Sequence, residues 1–172
     1  MANMLEVIVA LPRRASVAPA PAPARRESRA ALEDPRWCQI CSALGDLRRQ
    51  QRRAVRIVDA DCGCGTLLIA AVRHARALGF TAIEGRGIDT SPALVGRACA
   101  AASRLDDRSI GLSFEVADPT RALASETDFP ADILLWHDDR GADDHRGEAS
   151  VRAAARLVIG DQPAHGVTGI AA

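Results

Sequence analysis

The segment from Val55 to Val72, VRIVDADCGCGTLLIAAV, restricts the possible folds of this chain more than any other. An apolar run reaches an acidic residue, a turn with two glycines follows, and a second apolar run with helical spacing begins directly after it. In α/β domains such a strand–turn–helix unit brings main chain close to a nucleotide-like ligand, because glycine lacks the Cβ that would block the approach. The segment therefore predicts the first strand and the first sheet-packing helix of an α/β domain.

The composition is that of one globular domain with an aliphatic core. Of the 172 residues, 48% are hydrophobic, 26% are charged and 3% are aromatic. The formal net charge of zero argues against a general nucleic-acid-binding protein, since binding to the phosphate backbone requires an excess of positive charge. The sequence has no apolar run near the roughly 18 residues of a membrane span. The odd number of cysteines, five, favours reduced thiols, so we predict a cytoplasmic protein without membrane contact.

The N-terminal part is predicted to differ from the rest of the chain. Residues 1–30 are interpreted as a disordered extension, because the tract PRRASVAPAPAPARRESRA at 12–30 offers little apolar surface to bury; an organelle-targeting peptide is the alternative. Residues 31–172 are predicted to form a single domain, with an N-terminal helical cap at 31–53 and a core of sheet and helices at 54–160. Gly45 lies within the cap, so two shorter helices are an alternative to one.

Helical spacing in the cap places several apolar residues on one face, and arginines cluster at its end. The apolar residues of this face are Leu32, Trp37, Ile40, Cys41, Leu44 and Leu47. The arginines are Arg48, Arg49, Arg52, Arg53 and Arg56. A patch for an anionic partner is one interpretation of these arginines, and we favour the other, a solvent-exposed helix face.

Strand and helix patterns alternate along the remaining chain. Thr66 is predicted to be the N-cap of the helix that Gly79 ends, and Ser91-Pro92 is typical of a helix start. Strands are predicted at Val55–Asp59, within Ala82–Ile88, and at Leu112–Val116, Ala131–Trp136 and Leu157–Ile159. This alternation predicts an α/β fold with a doubly wound, mostly parallel, Rossmann-like sheet of about five strands and helices on both faces.

Four landmarks in this order resemble the class I S-adenosylmethionine-dependent methyltransferases. They are VDADCGCG after the first strand, GIDTSP after the second, EVADP after the third, and the fourth strand ADILLW. The resemblance implies S-adenosylmethionine as cofactor and methyl transfer to a small-molecule acceptor. It implies the cofactor-binding residues Asp59, Asp61, Gly63, Gly65, Asp89, Thr90, Ala117 and Asp118, with Asp89 at the ribose hydroxyls and Asp118 at the adenine.

The chain departs from that family in three places. Asp61 stands where the first glycine of the turn is usual, and the long interval between Asp59 and Asp89 implies an insertion around Phe80 to Gly85. The last two strands of the family sheet are predicted to be missing, which would expose a sheet edge that a homodimer could cover. A non-catalytic partner subunit is therefore an alternative function. An NAD-dependent oxidoreductase is less favoured, because Leu68 stands where the dinucleotide fingerprint has Gly or Ala.

The loop after the fourth strand, HDDRGADDH, is predicted to lie where substrates bind in this topology. His137 or Asp138 is a candidate catalytic base. The acidic and histidine side chains of the loop could hold a divalent cation, although we favour a solvated loop and predict no metal site. The pairs CQIC and CGC could hold zinc, but the second pair is spaced too closely, so we interpret these cysteines as small buried side chains.

Overall fold

The computed structural model describes residues 29–137 and 151–161, which form one five-stranded sheet with helices on both faces. The strands are β1 (Ala54–Ala60), β2 (Ala82–Asp89), β3 (Ile110–Val116), β4 (Ala131–Leu135) and β5 (Ala155–Ile159). Their order is β3-β2-β1-β4-β5, and every neighbouring pair is parallel. The predicted doubly wound α/β sheet is confirmed. The extension predicted at 1–30 lies almost wholly outside the described residues.

Within the described residues, four α-helices have both ends defined and connect or cover these strands. They are α1 (Trp37–Arg49), α2 (Thr66–Ala77), α3 (Pro92–Ala102) and α4 (Pro119–Ala124), and a 3-10 turn (Ser125–Asp128) follows α4. Residues 29–32 and 151–154 are also helical. In the described part of the chain, no helix is long and apolar enough to cross a membrane.

The region predicted as an insertion is strand instead. β1 pairs with β2 along its whole length, from Ala54 opposite Ala82 to Ala60 opposite Ile88. Phe80, just before β2, is fully buried. The interval between Asp59 and Asp89 is therefore taken up by a full-length strand and its helix, and not by an added loop.

Helix α1 is continuous through Gly45, so the alternative of two helices divided at that residue is wrong. The break lies before α1, between residues 32 and 37. Ile40, Ala43 and Leu44 are buried against the sheet, whereas Leu32, predicted on the same face, is 58% exposed. The break before α1 separates Leu32 from that helix, although its position in the sequence fits the helical spacing of the other apolar residues.

Three of the five clustered arginines contact other elements of the fold, so their interpretation as one exposed helix face is wrong. Arg48 donates from Nε to the carbonyl oxygen of Leu78 at 3.0 Å. Arg52 donates from Nη2 to Asp132 Oδ1 at 2.9 Å, and Arg56 donates from Nε to Glu84 at 3.0 Å. Arg49 and Arg53 are exposed as expected. Long arginine side chains can reach carboxylates on neighbouring elements that helical periodicity does not reveal.

Two apolar layers hold the sheet between the helices. One layer joins α1 and α2 to one face of the sheet, and its buried residues include Leu44, Ile57, Leu68, Val72, Phe80 and Ile133. The other layer includes Val58, Leu123, Leu134, Val151 and Ala154. Both faces of β1 and β4 are therefore buried, which explains the nearly continuous apolar run of β4.

The sheet face that carries the second apolar layer also has charged side chains on β1, β2 and β3. Glu126, 3% exposed, forms ion pairs with both Arg56 on β1 and Arg86 on β2. Arg56 also pairs with Glu84 at 3.0 Å, and Arg86 pairs with Glu115 on β3 at 2.5 Å. We call these five residues the sheet-face ion network. It ties three strands to the 3-10 turn.

On the opposite face, Gly87 of β2 makes room for the ring of Phe114 on β3. A Cβ added to Gly87 would lie 2.4 Å from Phe114 Cδ1 and 2.9 Å from Cys62 Sγ. We expect Gly87→Ala to lower the free energy of unfolding by about 1–3 kcal/mol, because the ring would have to move within a packed layer. Urea unfolding followed by circular dichroism measures this change.

Gly96 in α3 provides the matched control. A Cβ added there meets no heavy atom within 4 Å, so Gly96→Ala is expected to stabilise the protein by about 0.5–1 kcal/mol through helix propensity. Equal stability of the Gly87→Ala variant and the parent protein would contradict the packing role of Gly87.

Candidate functional site

Three residues of the turn after β1 have left-handed backbone conformations, and the turn lies against the end of β2. The φ angles are 84° at Asp61, 55° at Gly63 and 75° at Gly65. The amides of Asp61 and Cys62 both donate to the carbonyl oxygen of Ile88 at 2.9 Å. Asp61 thus has the conformation that glycine adopts most easily, and aspartate tolerates it better than most residues do.

The two glycines of this turn have different surroundings. A Cβ on Gly65 would lie 2.8 Å from the ring of Phe114, so packing within the protein excludes a side chain there. A Cβ on Gly63 would meet no heavy atom within 4 Å, so the space beside that residue is open. Gly65 is also the N-cap of α2, which makes the prediction of Thr66 as N-cap wrong; Thr66 is the first helical residue.

Asp89, 6% exposed, connects the end of β2 to the turn. Its Oδ2 accepts a hydrogen bond from the amide of Gly63 at 2.9 Å, and its Oδ1 accepts one from the amide of Ser91 at 2.7 Å. Ser91 is the N-cap of α3, as predicted. Because each carboxylate oxygen can accept about two hydrogen bonds, Asp89 retains capacity for a ligand as well as its structural role.

The residues after β3 lie beside the main chain of Asp89. The amide of Ala117 donates to the carbonyl oxygen of Asp89 at 3.1 Å. Asp118 is exposed, and its Oδ1 accepts from the amide of Arg121 at the start of α4. Thr90 is exposed next to Asp89. Through these contacts the carboxyl ends of β1, β2 and β3 and the residues that follow them form one edge.

Asp59 lies beneath the turn and is 1% exposed. Burial raises the pKa of its carboxyl group to about 7, although the positive charges of Arg36 and His137 act in the opposite direction. Its Oδ1 makes no hydrogen bond to any residue that the structure describes. Asp59 is therefore a buried carboxyl that ionises near neutral pH and has one oxygen without a donor.

Arg36, 3% exposed, lies directly before α1 and reaches the same edge of the sheet. Its Nε and Nη2 donate to the two oxygens of Asp34 at 3.0 and 2.9 Å. Its Nε is also 3.2 Å from Asp161 Oδ1. Asp161 in turn lies 2.6 Å from His137 Nδ1 through its other oxygen. We call Asp34, Arg36, Asp59, His137 and Asp161 the Arg36 cluster.

Sequence reasoning missed three members of this cluster, namely Asp34, Arg36 and Asp161. Asp161 follows β5 just as other acidic residues end β1 and β2, and this signal could have found it. Asp34 and Arg36 lie just before helix α1, and the sequence around them contains no motif that indicates a functional site. Of the two candidate bases, His137 follows β4 and belongs to the cluster, whereas Asp138 and the remaining acidic loop lie outside the described residues.

The cysteines only partly follow their interpretation as buried side chains. Cys62 is buried, Cys41 and Cys64 are half-buried, and Cys38 and Cys99 are exposed. Burial, together with the charges of Asp59 and Asp89, raises the pKa of the Cys62 thiol to about 12, which disfavours the thiolate that zinc requires. Within residues 29–137 and 151–161, no group of three or more His, Cys, Asp or Glu side chains is arranged to hold a metal ion.

A parallel sheet with a glycine turn and strand-end carboxylates at one edge has the architecture of a Rossmann-like cofactor-binding protein. Magnesium protoporphyrin IX methyltransferase (ChlM) from Synechocystis PCC 6803, solved with S-adenosylmethionine (SAM), matches with a TM-score of 0.52 and 18% identity, over 85% of this chain and 66% of that one. The same enzyme with S-adenosylhomocysteine (SAH) gives a TM-score of 0.51 and 17% identity, over 83% and 61% of the two chains.

A further match is the plantazolicin methyltransferase BpumL in complex with a monoazolic desmethylPZN analog and SAH, with a TM-score of 0.41 and 21% identity over 66% of this chain and 40% of that one. This chain therefore spans between 40% and 66% of the length of the three structures. No protein-family model and no curated protein matches the sequence. The fold of the chain is similar to that of the SAM-binding methyltransferase ChlM, which confirms the fold that the sequence resemblance implies.

Proposed function

We propose that this chain binds SAM at the carboxyl edge of β1, β2 and β3 and transfers its methyl group to a small-molecule acceptor. The observation that carries the proposal is the open space beside Gly63, next to the buried carboxylate of Asp89. A glycine that the protein's own packing does not require, bonded to a carboxylate with capacity for hydroxyl donors, fits a ribose and the chain attached to it. When bound, the cofactor supplies an electrophilic methyl group on a sulfonium cation.

In the proposed complex, different residues around this space contact different parts of the cofactor. Asp89 accepts hydrogen bonds from the ribose hydroxyls, with Thr90 beside it. Ala117 and Asp118 lie at the adenine, where Asp118 accepts from the amino group. The turn residues, Asp59, Asp61, Gly63 and Gly65, lie at the methionyl part, whose positive charges are attracted by carboxylates.

His137 is the proposed base for an acceptor that must lose a proton. Methyl transfer is an in-line displacement that depends chiefly on positioning, so the base contributes only to the proton-transfer part. The contact of His137 Nδ1 with Asp161 at 2.6 Å orients the imidazole ring and leaves Nε2 for the acceptor. Asp138 remains the second candidate from the sequence.

A second candidate function is a non-catalytic partner subunit with the same fold. The observation that favours it is Asp61, whose left-handed φ of 84° places a charged side chain in the turn. A homodimer is the proposed assembly, because β5 forms an edge of the described sheet and its Leu157 is exposed. Both functions are proposed for a cytoplasmic protein.

Thermal-shift titration with SAH and with NAD tests the proposed cofactor. A ligand at about 100 times its dissociation constant stabilises a protein by roughly 2.7 kcal/mol, so SAH is expected to raise the melting temperature and NAD to leave it unchanged. We expect Asp89→Ala to remove most of the SAH shift, measured against that variant's own ligand-free melting temperature. The exposed Asp106→Ala serves as the control and should keep the full shift.

The other outcomes distinguish the alternatives. A shift with NAD alone would favour the oxidoreductase over the methyltransferase. The absence of a shift with either ligand would contradict both enzyme functions and favour the partner subunit. Full SAH binding by Asp89→Ala would overturn the ribose assignment.

A further inference from the structure

Helix α1 carries two cysteines within one turn of each other. Cys38 is the second residue of the helix, and Cys41 follows three residues later in the sequence CQIC. Cys38 is exposed and Cys41 is half-buried, whereas the buried residues of the helix are Ile40, Ala43 and Leu44. Cys38 therefore lies on the solvent side of α1, and Cys41 lies at the edge of its buried face. A small molecule can reach the first thiol directly.

The helix holds the two thiols close to the separation that a disulfide needs. Residues three apart in an α-helix have Cα atoms about 5 Å apart, within the range of about 4.4–6.8 Å found in disulfides. Their Cβ atoms are about 5–6 Å apart, against about 3.5–4.5 Å in a disulfide. A rearrangement of the first turn by about one ångström therefore allows the bond to form.

The first turn of α1 is the part of the helix that can make this adjustment. Its N-cap residue, Arg36, makes no side-chain hydrogen bond to the turn. The first amides of a helix have no partner within the helix, and helix ends open more readily than helix centres. Cys38 can therefore move while the helical hydrogen bonds beyond the first turn stay in place.

The two thiols also interact electrostatically. Burial raises the pKa of the Cys41 thiol, and the charge of Cys38 raises it further. Only groups that are close in space affect each other's ionisation in this way. Cys41 therefore keeps its proton more readily than an isolated thiol does, and the exposed Cys38 is the thiol that reacts first.

The other thiol chemistry of the chain does not fit as well. A zinc site requires further ligands beside two cysteines, and the described part of the chain has no group of three or more suitable side chains. The pair Cys62 and Cys64 is less reactive, because burial raises the pKa of the Cys62 thiol to about 12. Cys38 and Cys41 are thus the pair best placed to react with each other.

We propose that Cys38 and Cys41 form a reversible dithiol site, which a small-molecule disulfide such as glutathione disulfide oxidises to an intramolecular disulfide. The Cys38 thiolate attacks one sulfur of the reagent, whose S–S bond breaks and releases the first glutathione thiolate. The Cys41 thiolate then attacks Cys38 Sγ, which breaks the mixed disulfide and releases the second glutathione thiolate. The two cysteines lose two electrons and two protons, and the reagent takes them up as two molecules of reduced glutathione.

This site does not depend on the proposed methyl transfer. Disulfides of cytosolic proteins are usually transient and either catalytic or redox-sensing. The pair on α1 lies on a helix surface and belongs to the second kind, a site that reports the redox state of the surrounding thiols.

Mass spectrometry of tryptic peptides tests the site in the parent protein. After treatment with glutathione disulfide, remaining thiols are blocked with N-ethylmaleimide, and trypsin releases residues 37–48, whose only cysteines are Cys38 and Cys41. We expect this peptide to be two hydrogens lighter than its reduced form and to carry neither glutathione nor the blocking reagent. An excess of reduced glutathione is expected to restore both thiols. Cys99, exposed and without another cysteine in its helix, is the internal control and should carry glutathione.

Two variants separate the roles of the thiols. Cys41→Ser is expected to stop at the mixed disulfide, with glutathione on Cys38. Cys38→Ser is expected to leave Cys41 largely unmodified. A parent peptide that keeps glutathione on Cys38, or that keeps both thiols free under conditions that modify Cys99, would overturn the proposal. A disulfide from either residue to any other cysteine would overturn it as well.

Discussion

A Glu126→Ala variant will be less stable than the parent protein by about 3 kcal/mol, near the lower end of the range of about 3–5 kcal/mol for breaking a buried ion pair. Glu126 is 3% exposed and pairs with both Arg56 and Arg86. Its removal leaves two guanidinium groups on neighbouring strands without the carboxylate between them. The loss is at the lower end because Glu84 and Glu115 still contact these arginines.

Urea unfolding of matched variants measures this effect. Glu115→Ala removes a carboxylate from the same sheet-face ion network at a more exposed position, and its cost is expected to be below about 1 kcal/mol. Equal losses for the two variants would mean that burial of Glu126 does not determine the strength of the network.

The stability of the parent protein relative to an Asp59→Asn variant will fall by about 2–3 kcal/mol between pH 5 and pH 8. Burial raises the pKa of Asp59 from 3.8 to about 7 in the folded protein, so the folded state binds the proton more tightly than the unfolded chain. The contribution of Asp59 is therefore fully present below about pH 4. It is lost as the pH rises to about 7, because the unfolded chain releases its proton over this range while the folded protein retains it.

Burial is the main cause of this pKa shift, and the charges that face Asp59 modify it. Arg36 and His137 favour its ionised form, while Asp34 and Asp61 oppose it. Urea unfolding of both proteins at pH 5, 6, 7 and 8 measures the difference, and Asp106→Asn at an exposed position is the control. A difference between parent and Asp59→Asn that stays constant over this range would show that Asp59 has an ordinary pKa.

Local patterns in the sequence predicted every strand, but not the full length of each. β2 extends over Ala82–Asp89, whereas the sequence predicted a strand somewhere within Ala82–Ile88, because Gly85 and Gly87 are uncommon in strands. The structure gives the reason for both glycines. Their missing side chains make room for Leu112 and Phe114 of β3, a contact between strands that no window of β2 can reveal.

The candidate site was predictable where it depends on strand ends, and not where it depends on distant contacts. Asp59 and Asp89 follow apolar runs, and parallel strands bring such ends to one edge. Arg36 and Asp161 flank α1 and β5, and their contact follows from tertiary packing alone. The roles of the site residues toward a cofactor remain predictions.

The contact between Arg36 and Asp161 also bears on the order in which the molecule assembles. Asp34 is close to Arg36 in sequence, but Asp161 follows the last described strand, so this ion pair forms only after β5 has paired with β4. Contacts between residues far apart in sequence form late, since the chain between them must first be ordered. We therefore expect the segment before α1 to reach its final position only when the sheet is complete, with the Arg36 cluster among the last parts of the molecule to fold.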